Sequence, residues 1–302
     1  MNIAIVSNFH YHFECVGFLL ELLSYDNNIF IHYKNDSHKY IDYFERLYDF
    51  KKEKKTCKDY LNQYDLLIML TSNDSCFYDD AKNKTIGILH LGGKNLERKV
   101  MNFITLWPSV KPKNNLEYVY TLPIYKGLKN NPTNTITYVG YFGNGYFDKD
   151  LINFVEKSNY IFNFIIYGYH KKVIEEMKKH NNINQINQGI STNELINIIN
   201  TSKFLLCRRW PFQKDNIFSG MITLWLSHNV PLILQNKVNI ANIPSISFNN
   251  GYSSVIDKVN NISNDDYSKL KKEMLEFCDI TIKENKVKLN NYINKLIVKK
   301  DK

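Results

Sequence analysis

The sequence predicts an α/β protein with two consecutive domains, each built around a parallel sheet. Short apolar segments alternate with helix-like segments from residue 2 onward, and the same alternation starts again near residue 135. Between the two runs, residues 109–135 carry prolines among Asn and Lys residues, which is typical of a linker. The length of 302 residues fits two domains, since one domain takes about 150 residues.

The first half supplies the first α/β run. Its predicted strands cover residues 2–7, 29–33, 64–70, 85–90 and 104–108, and a helix is predicted at 16–23. Strands such as 64–70 are continuous apolar runs, which suits a parallel sheet that is covered on both faces.

The second half repeats the pattern. Strands are predicted at 135–140, 162–168, 203–207 and 230–234, and helices at 148–158, 171–179, 191–200, 219–227 and 265–298. Ser191 or Thr192 is the predicted cap of its helix, with Glu194 in the first turn. We therefore expect domains at 1–128 and 129–267, with residues 268–302 forming a C-terminal helix that packs back across both.

The composition and charge of the chain limit the ligands, the cysteine sites and the compartment that we expect. The net charge of +9 favours anionic ligands, but the lysines are scattered and no nucleic-acid-binding motif occurs, so we expect a phosphate-bearing small molecule and no nucleic acid. Five cysteines are widely spaced without a Cys-x-x-Cys pair, which argues against disulfides and structural zinc. With no signal peptide and no transmembrane segment evident, we expect a cytoplasmic protein.

An ordered series of motifs occupies residues 136–235. Its members are the glycine loop 138–145, the strand end 165–169, the turn and helix start 187–195, the strand 201–207, Ser219-Gly220 and the Pro-containing strand 230–233. This series resembles the nucleotide-binding domain of GT-B glycosyltransferases, with exostosin-like and fucosyltransferase-like features in the C-terminal half. The resemblance implies two Rossmann-like domains facing a central cleft, with acceptor binding in the first and donor binding in the second.

The resemblance also implies a hexosyl- or pentosyltransferase. Its donor substrate would be a nucleoside diphosphate sugar, with no other cofactor, and its acceptor a glycan or a lipid-linked or protein-linked group. Glycine lets the backbone approach a phosphate, a helix start presents free N–H groups, and cations neutralise a diphosphate. The expected donor-binding residues are Gly140, Gly143, Gly168, Ile190, Arg208, Arg209, Lys214, Ser219 and Gly220.

The loop after the first strand supplies candidate catalytic residues. Inversion requires a base that takes the acceptor proton, and His12 and Glu14 are the candidates, because inverting enzymes of this fold commonly place a base in this loop. His10 and His90 are expected to line the acceptor side or the cleft. The two glutamates that many retaining GT-B enzymes carry are absent near Asn216 and Leu224, so the usual acidic contact with the nucleotide ribose is not expected. The likeness to exostosin-type and fucosyltransferase-type enzymes implies inversion.

Metal binding is not expected, and two alternative functions remain open. No Asp-x-Asp motif follows a strand, so we expect no metal. One alternative is a nucleotide-sugar epimerase or another two-domain Rossmann-like enzyme, such as a dehydrogenase, although the first strand lacks a Gly-x-Gly-x-x-Gly turn. Another is a non-catalytic nucleic-acid- or glycan-binding protein.

Overall fold

The computed structural model describes most of the chain. The described residues are 1–6, 13–33, 40–53, 63–70, 84–89, 102–106, 117–128, 131–141, 149–167, 171–188, 190–207, 220–236, 239, 241–249 and 251–298. The chain forms two compact units. Unit 1 comprises Met1–Tyr125 and Asp279–Lys302, and unit 2 comprises Lys126–Cys278.

Unit 1 contains a parallel sheet. Its described strands are β1 (Asn2–Val6), β2 (Asn28–His32), β3 (Lys51–Glu53), β4 (Leu66–Met69), β5 (Thr85–Leu89), β6 (Asn102–Thr105) and β7 (Glu117–Tyr120), and its described helices before unit 2 are α1 (Phe13–Leu23) and α2 (Tyr40–Phe44). The strand order is β3-β2-β1-β4-β5-β6-β7, and every described pair is parallel.

Helix α1 packs closely against aromatic rings of unit 1. A Cβ atom added to Gly17 would lie 2.5 Å from Cε1 of Phe44 and 2.8 Å from Cδ1 of Tyr125. Those two rings are fully buried and meet edge to face, with their centroids 5.3 Å apart. Glycine at this helical position therefore allows the helix that follows β1 to approach the rings.

Unit 2 contains a second parallel sheet. Its elements are β8 (Thr135–Tyr141), α3 (Lys149–Lys157), β9 (Ile161–Tyr167), α4 (Lys171–Met177), β10 (Ile183–Gln188), α5 (Thr192–Thr201), β11 (Phe204–Cys207), α6 (Gly220–Ser227), β12 (Leu232–Gln235), β13 (Ile246–Phe248), the 3-10 turn Tyr252–Val255 and α7 (Ile256–Asn260). The strand order is β10-β9-β8-β11-β12-β13, again with parallel pairs. Aromatic rings fill much of its core, among them Phe154, Phe162, Phe164 and Tyr252.

Both sheets reverse their strand order beside their first strand. In unit 1, β1 lies between β2 and β4, and in unit 2, β8 lies between β9 and β11. This is the order of doubly wound Rossmann-like folds, in which ligands bind at the reversal point beside the carboxyl ends of the strands. The α/β class and the two parallel sheets predicted from the sequence are confirmed.

The long helix α8 (Asn264–Val298) contributes to both units. In unit 2, the Tyr267 hydroxyl donates to the carbonyl of Lys203 at 3.2 Å. In unit 1, Asn285 Nδ2 donates to the carbonyl of Leu122 at 2.8 Å. The Tyr292 hydroxyl accepts from the backbone N–H of Phe103 at 3.0 Å and donates to the carbonyl of Glu117 at 2.9 Å. The domain limits 1–128, 129–267 and 268–302 stay a prediction.

Four strands were absent from the sequence prediction, and all four are outermost in their sheets. They are β3, β7, β10 and β13. Strand β7 lies inside the segment interpreted as a linker, so that interpretation was wrong for Glu117–Tyr120. Within the described ranges, no helix combines the length and apolarity needed to span a bilayer.

Candidate active site

The two segments predicted to hold donor phosphates leave neighbouring strands of unit 2. Strand β11 pairs with β8 in the register Leu206 with Tyr138, after which β8 continues to Tyr141 and β11 to Cys207. The two outgoing connections therefore leave adjacent strands, which lie about 4.8 Å apart, at the reversal point, and β8 ends two residues beyond the level of Cys207. Gly140 belongs to β8, where it pairs with Ile166 of β9.

Several predicted donor residues fall outside the described part of the chain. These are Gly143, Gly168, Arg208, Arg209, Lys214 and Ser219. Their places in the sequence still tie them to described elements. Gly168 follows β9 directly, Arg208 follows β11 directly, and Ser219 precedes α6.

Helix α6 begins at Gly220, directly after the predicted start at Ser219, and its far end is anchored within unit 2. The backbone N–H of Gly127 donates to the carbonyl of Ser227 at 2.8 Å. Nδ1 of His228 lies 3.1 Å from Oδ1 of Asn200. Burial lowers the pKa of His228 to about 4, although a backbone hydrogen bond with Leu128 opposes the shift. His228 is therefore a neutral structural group at physiological pH.

The start of α5 is closed by a capping box. Ser191 Oγ accepts from the backbone N–H of Glu194 at 3.3 Å, and the Glu194 carboxylate accepts from the Ser191 backbone N–H at 2.7 Å. Hydrogen bonds from the Ser191 side chain and backbone lower the pKa of Glu194. The predicted cap is confirmed, and it is Ser191. Ile190, predicted to contact the donor, is partly buried immediately before this cap.

Cys207 ends β11 beside the reversal point. Its side chain is buried, and desolvation raises the pKa of its thiol well above the usual range. A buried neutral thiol is a poor nucleophile. Cys207 is therefore a packing residue of the sheet.

In unit 1, the candidate catalytic residues come after the carboxyl ends of two strands, β1 and β5. His10 and His12 lie outside the described residues, between the end of β1 at Val6 and the start of α1, and Glu14 is the second residue of α1. His90, also outside, follows the last residue of β5. Strand β4 lies between β1 and β5, so two strand spacings, or about 10 Å, separate the strand ends from which these residues follow.

The sequence analysis did not single out a buried histidine that lies at the carboxyl end of a neighbouring strand. His32 ends β2 in register with Val6, and its Nε2 lies 2.8 Å from the Tyr64 hydroxyl. The two rings meet edge to face. Its position in the apolar segment 29–33 was a signal for a structural histidine, since a polar group in such a strand needs a buried partner.

Asp150, in the first turn of α3, is a second residue that the sequence interpretation did not single out. Its carboxylate accepts hydrogen bonds from the backbone N–H of Tyr252 at 2.6 Å and of Ser253 at 3.3 Å, and from Ser253 Oγ at 2.6 Å. A Cβ atom at Gly251 would lie 2.7 Å from Oδ2 of Asp150. The start of α3 is thereby tied to the segment that follows β13.

Among the side chains that the structure describes, no group of three or more His, Cys, Asp or Glu residues is arranged to hold a metal ion.

Comparison with known proteins gives structural matches but no sequence matches. No family model matches the chain, and no curated relative does. Anabaena HepE, solved with UDP and glucose, shares 10% identity at a TM-score of 0.60, covering 99% of this chain and 100% of that chain. AviGT4, a glycosyltransferase of avilamycin A biosynthesis, shares 6% at a TM-score of 0.63, covering 99% and 98%.

A phage enzyme extends the comparison. The DNA-modifying β-glucosyltransferase, solved with and without uridine diphosphoglucose, shares 16% identity at a TM-score of 0.51, with coverages of 98% and 99%. T4 phage BGT in complex with UDP and Mn²⁺ matches at 14% identity and a TM-score of 0.50, with the same coverages. The chain therefore has the two-domain α/β fold of GT-B glycosyltransferases.

Proposed function

We propose that this chain is a glycosyltransferase that moves a sugar from a nucleoside diphosphate sugar to an acceptor hydroxyl. The observation that carries the proposal is the pairing of β8 with β11 at the reversal point of the second sheet. Ligands of open α/β sheets bind at such points. The segments that leave these strands carry glycines and three cations, which suit a diphosphate.

The donor site belongs to the predicted C-terminal domain, residues 129–267, and the acceptor to residues 1–128. Arg208 is the first candidate for the donor phosphates, because it follows β11 without an intervening residue. Arg209 and Lys214 are the other two cations of that segment. The leaving diphosphate gains negative charge as the glycosidic bond breaks, so a fixed cation assists departure as well as binding. These cations take the place of a metal in this proposal.

UDP and UDP-glucose are the first donor probes, since HepE was solved with UDP and glucose and Arabidopsis thaliana UGT89C1 with UDP-L-rhamnose. Calorimetric titration should detect binding of one nucleoside diphosphate among UDP, GDP and their sugars. Binding of NAD in their place would favour the alternative of another Rossmann-like enzyme. If no nucleotide binds, the remaining alternative is a non-catalytic nucleic-acid- or glycan-binding protein.

The cation assignment has a direct test. Alanine at Arg208, Arg209 or Lys214 should weaken nucleotide binding by about 1.5–3 kcal/mol in at least one variant, as expected for a hydrogen bond to a charged group. Lys272→Ala is a matched control, because this lysine of α8 is exposed and its Nζ lies 3.9 Å from the carboxylate of Glu276. Unchanged affinity in all three test variants would move the phosphate site elsewhere.

His12 or Glu14 is the proposed base, and the reaction proceeds with inversion. One displacement at the anomeric carbon requires one base to accept the proton of the acceptor hydroxyl. Removing that base should lower kcat by about 10²–10⁴-fold and leave donor binding nearly intact. His10 and His90 are proposed to line the acceptor side. If His12→Ala and Glu14→Ala both retain wild-type turnover, His90 becomes the next candidate.

The proposed acceptor is a glycan or a lipid-linked or protein-linked group. DNA is a second candidate, although the scattered lysines led us to expect no nucleic acid, because the chain shares its fold with a DNA-modifying enzyme. Transfer of labelled sugar to DNA, with binding that weakens steeply as salt rises, would support this second candidate. Transfer to oligosaccharides without DNA labelling would exclude it.

A further inference from the structure

Helix α1 is buried all round along most of its length. Each residue from 15 to 23 is buried. Among them is the charged Glu21, whose carboxylate accepts a hydrogen bond from the Tyr48 hydroxyl at 2.7 Å. A helix on a protein surface keeps a polar stripe in water, whereas a helix that is buried all round is held by packing on every side. The position of α1 is therefore set by the residues that surround it.

The contact at Gly17 of this helix leaves no room for a side chain. An added Cβ atom would lie 2.5 Å from Cε1 and 2.7 Å from Cζ of Phe44, and 2.8 Å from Cδ1 of Tyr125. Non-bonded carbon atoms attract each other best at about 3.5–4.0 Å, and they repel at much shorter distances. A methyl group at this position would therefore have to displace either the two rings or the helix.

The ring of Phe44 has other aromatic rings beside it. Phe44 is fully buried. Its ring centroid lies 5.2 Å from that of Tyr43, 6.4 Å from that of Tyr48 and 5.3 Å from that of Tyr125. Protein interiors are close-packed and contain few voids, so a ring enclosed in this way has little free space to turn into. A methyl group at Gly17 would therefore displace α1 from its present position.

We infer that Gly17 is a positioning residue for catalysis, because its missing side chain lets the rings of Phe44 and Tyr125 fix the start of α1. Glu14 is the second residue of this helix, and Gly17 follows it by three residues, which is about one turn. A displacement of the helix at Gly17 is therefore carried to the backbone of Glu14. The inference rests on the proposed function, since Glu14 is one of the two proposed bases.

The sign of the change in stability distinguishes a constrained glycine from an ordinary helical one. Alanine is the better helix former, so replacing an unconstrained glycine inside a helix stabilises the fold. If the rings require glycine at position 17, Gly17→Ala lowers the free energy of unfolding instead, because the core is overpacked. A displaced base also slows the chemical step. Donor binding should not change, because the proposed donor residues belong to unit 2.

The experiment uses UDP-glucose without an added acceptor. Water then replaces the acceptor hydroxyl: the bond between the anomeric carbon and UDP breaks, a bond to the water oxygen forms, and the base accepts the proton. The measurements are kcat for UDP release, Kd for UDP by calorimetry and the free energy of unfolding in urea. Gly17→Ala should lower kcat by about 10–100-fold and leave Kd for UDP within about twofold of the wild type.

Three variants distinguish positioning from a general loss of stability. Tyr292→Phe removes hydrogen bonds to β6 and β7, which β4 and β5 separate from β1, so it should lower stability and leave kcat unchanged. Phe44→Leu loosens the contact with Gly17 and should lower kcat by more than about twofold. Combined with Gly17→Ala, it makes room for the methyl group, so the double variant should turn over faster than Gly17→Ala alone.

Different outcomes contradict the proposed function and the inference. A wild type that releases no UDP from UDP-glucose contradicts the proposed donor, and wild-type turnover in both His12→Ala and Glu14→Ala contradicts the proposed base; the inference falls with either. Unchanged kcat or raised stability in Gly17→Ala overturns the inference alone. An equal loss of kcat in Tyr292→Phe, or a double variant no faster than Gly17→Ala, also overturns it. If Gly17→Ala does not fold, unchanged kcat in Phe44→Leu overturns it.

Discussion

Replacing His228 with Asn should make the folded protein less sensitive to mild acid. Burial lowers the pKa of His228 to about 4 from the ordinary value of 6.5. Between these two values the unfolded chain binds a proton that the folded protein does not, so the wild type loses stability as the pH falls from 6.5 towards 4. At about 1.4 kcal/mol per pKa unit, the full loss is about 3 kcal/mol, and about 2 kcal/mol of it is present at pH 5.

Urea denaturation at pH 7.5 and pH 5 measures the effect. The Asn amide can occupy the place of the His228 Nδ1 that lies beside Asn200. Any loss of packing at this position is present at both pH values and cancels in the comparison. The variant should lose about 2 kcal/mol less than the wild type between the two pH values. An equal loss in both proteins would show that His228 titrates normally and that the reasoning from its burial is wrong.

Three further results are expected. Transfer should persist in EDTA, because cations are proposed to neutralise the diphosphate, and loss of turnover that Mn²⁺ restores would contradict this. Tyr292→Phe should lower the free energy of unfolding by about 1–3 kcal/mol, since the N–H of Phe103 and the carbonyl of Glu117 lose the hydroxyl they share. Lys203→Met should lower the free energy of unfolding by about 1–2 kcal/mol. The Lys203 ammonium lies over three aromatic rings, and the nearest ring centroid is 5.1 Å away. Lys272→Met, at an exposed site, should change the unfolding free energy little in the same urea titration.

The sequence predicted the inner strands of both sheets and missed the outer ones for a physical reason. An inner strand of a parallel sheet is covered on both faces, so it is a continuous apolar run. All four residues of β4 are buried, and the sequence predicts that strand directly. An outer strand has one unpaired edge and tolerates polar residues, as in the Lys-Lys-Glu of β3 and the Ile-Asn-Gln-Ile-Asn-Gln of β10. The hydrophobicity of such a segment does not distinguish it from a loop.

The candidate site likewise combines segments that the sequence predicted with contacts that it did not predict. Motif spacing predicted that the glycine loop and the segment from Arg208 each follow a strand, and β8 and β11 precede them. The contact of Asp150 with Tyr252 joins residues that are 102 positions apart, and neither has an unusual local sequence. Local patterns indicate which segments leave the sheet, whereas the partners that hold those segments come from the tertiary fold.

The division of α8 between the two units bears on the order in which the chain can fold during synthesis. Unit 2 is contiguous and has all its residues once Cys278 has been added, whereas unit 1 still lacks the segment from Asp279 onward. At about 5–20 residues per second, roughly 10–30 s pass between the synthesis of Tyr125 and that of Tyr292. During this interval, strands β6 and β7 lack the hydroxyl that joins the backbones of Phe103 and Glu117. Unit 1 is therefore the first to begin synthesis and the last to be completed. We expect it to depend more on chaperones in the cell than unit 2 does.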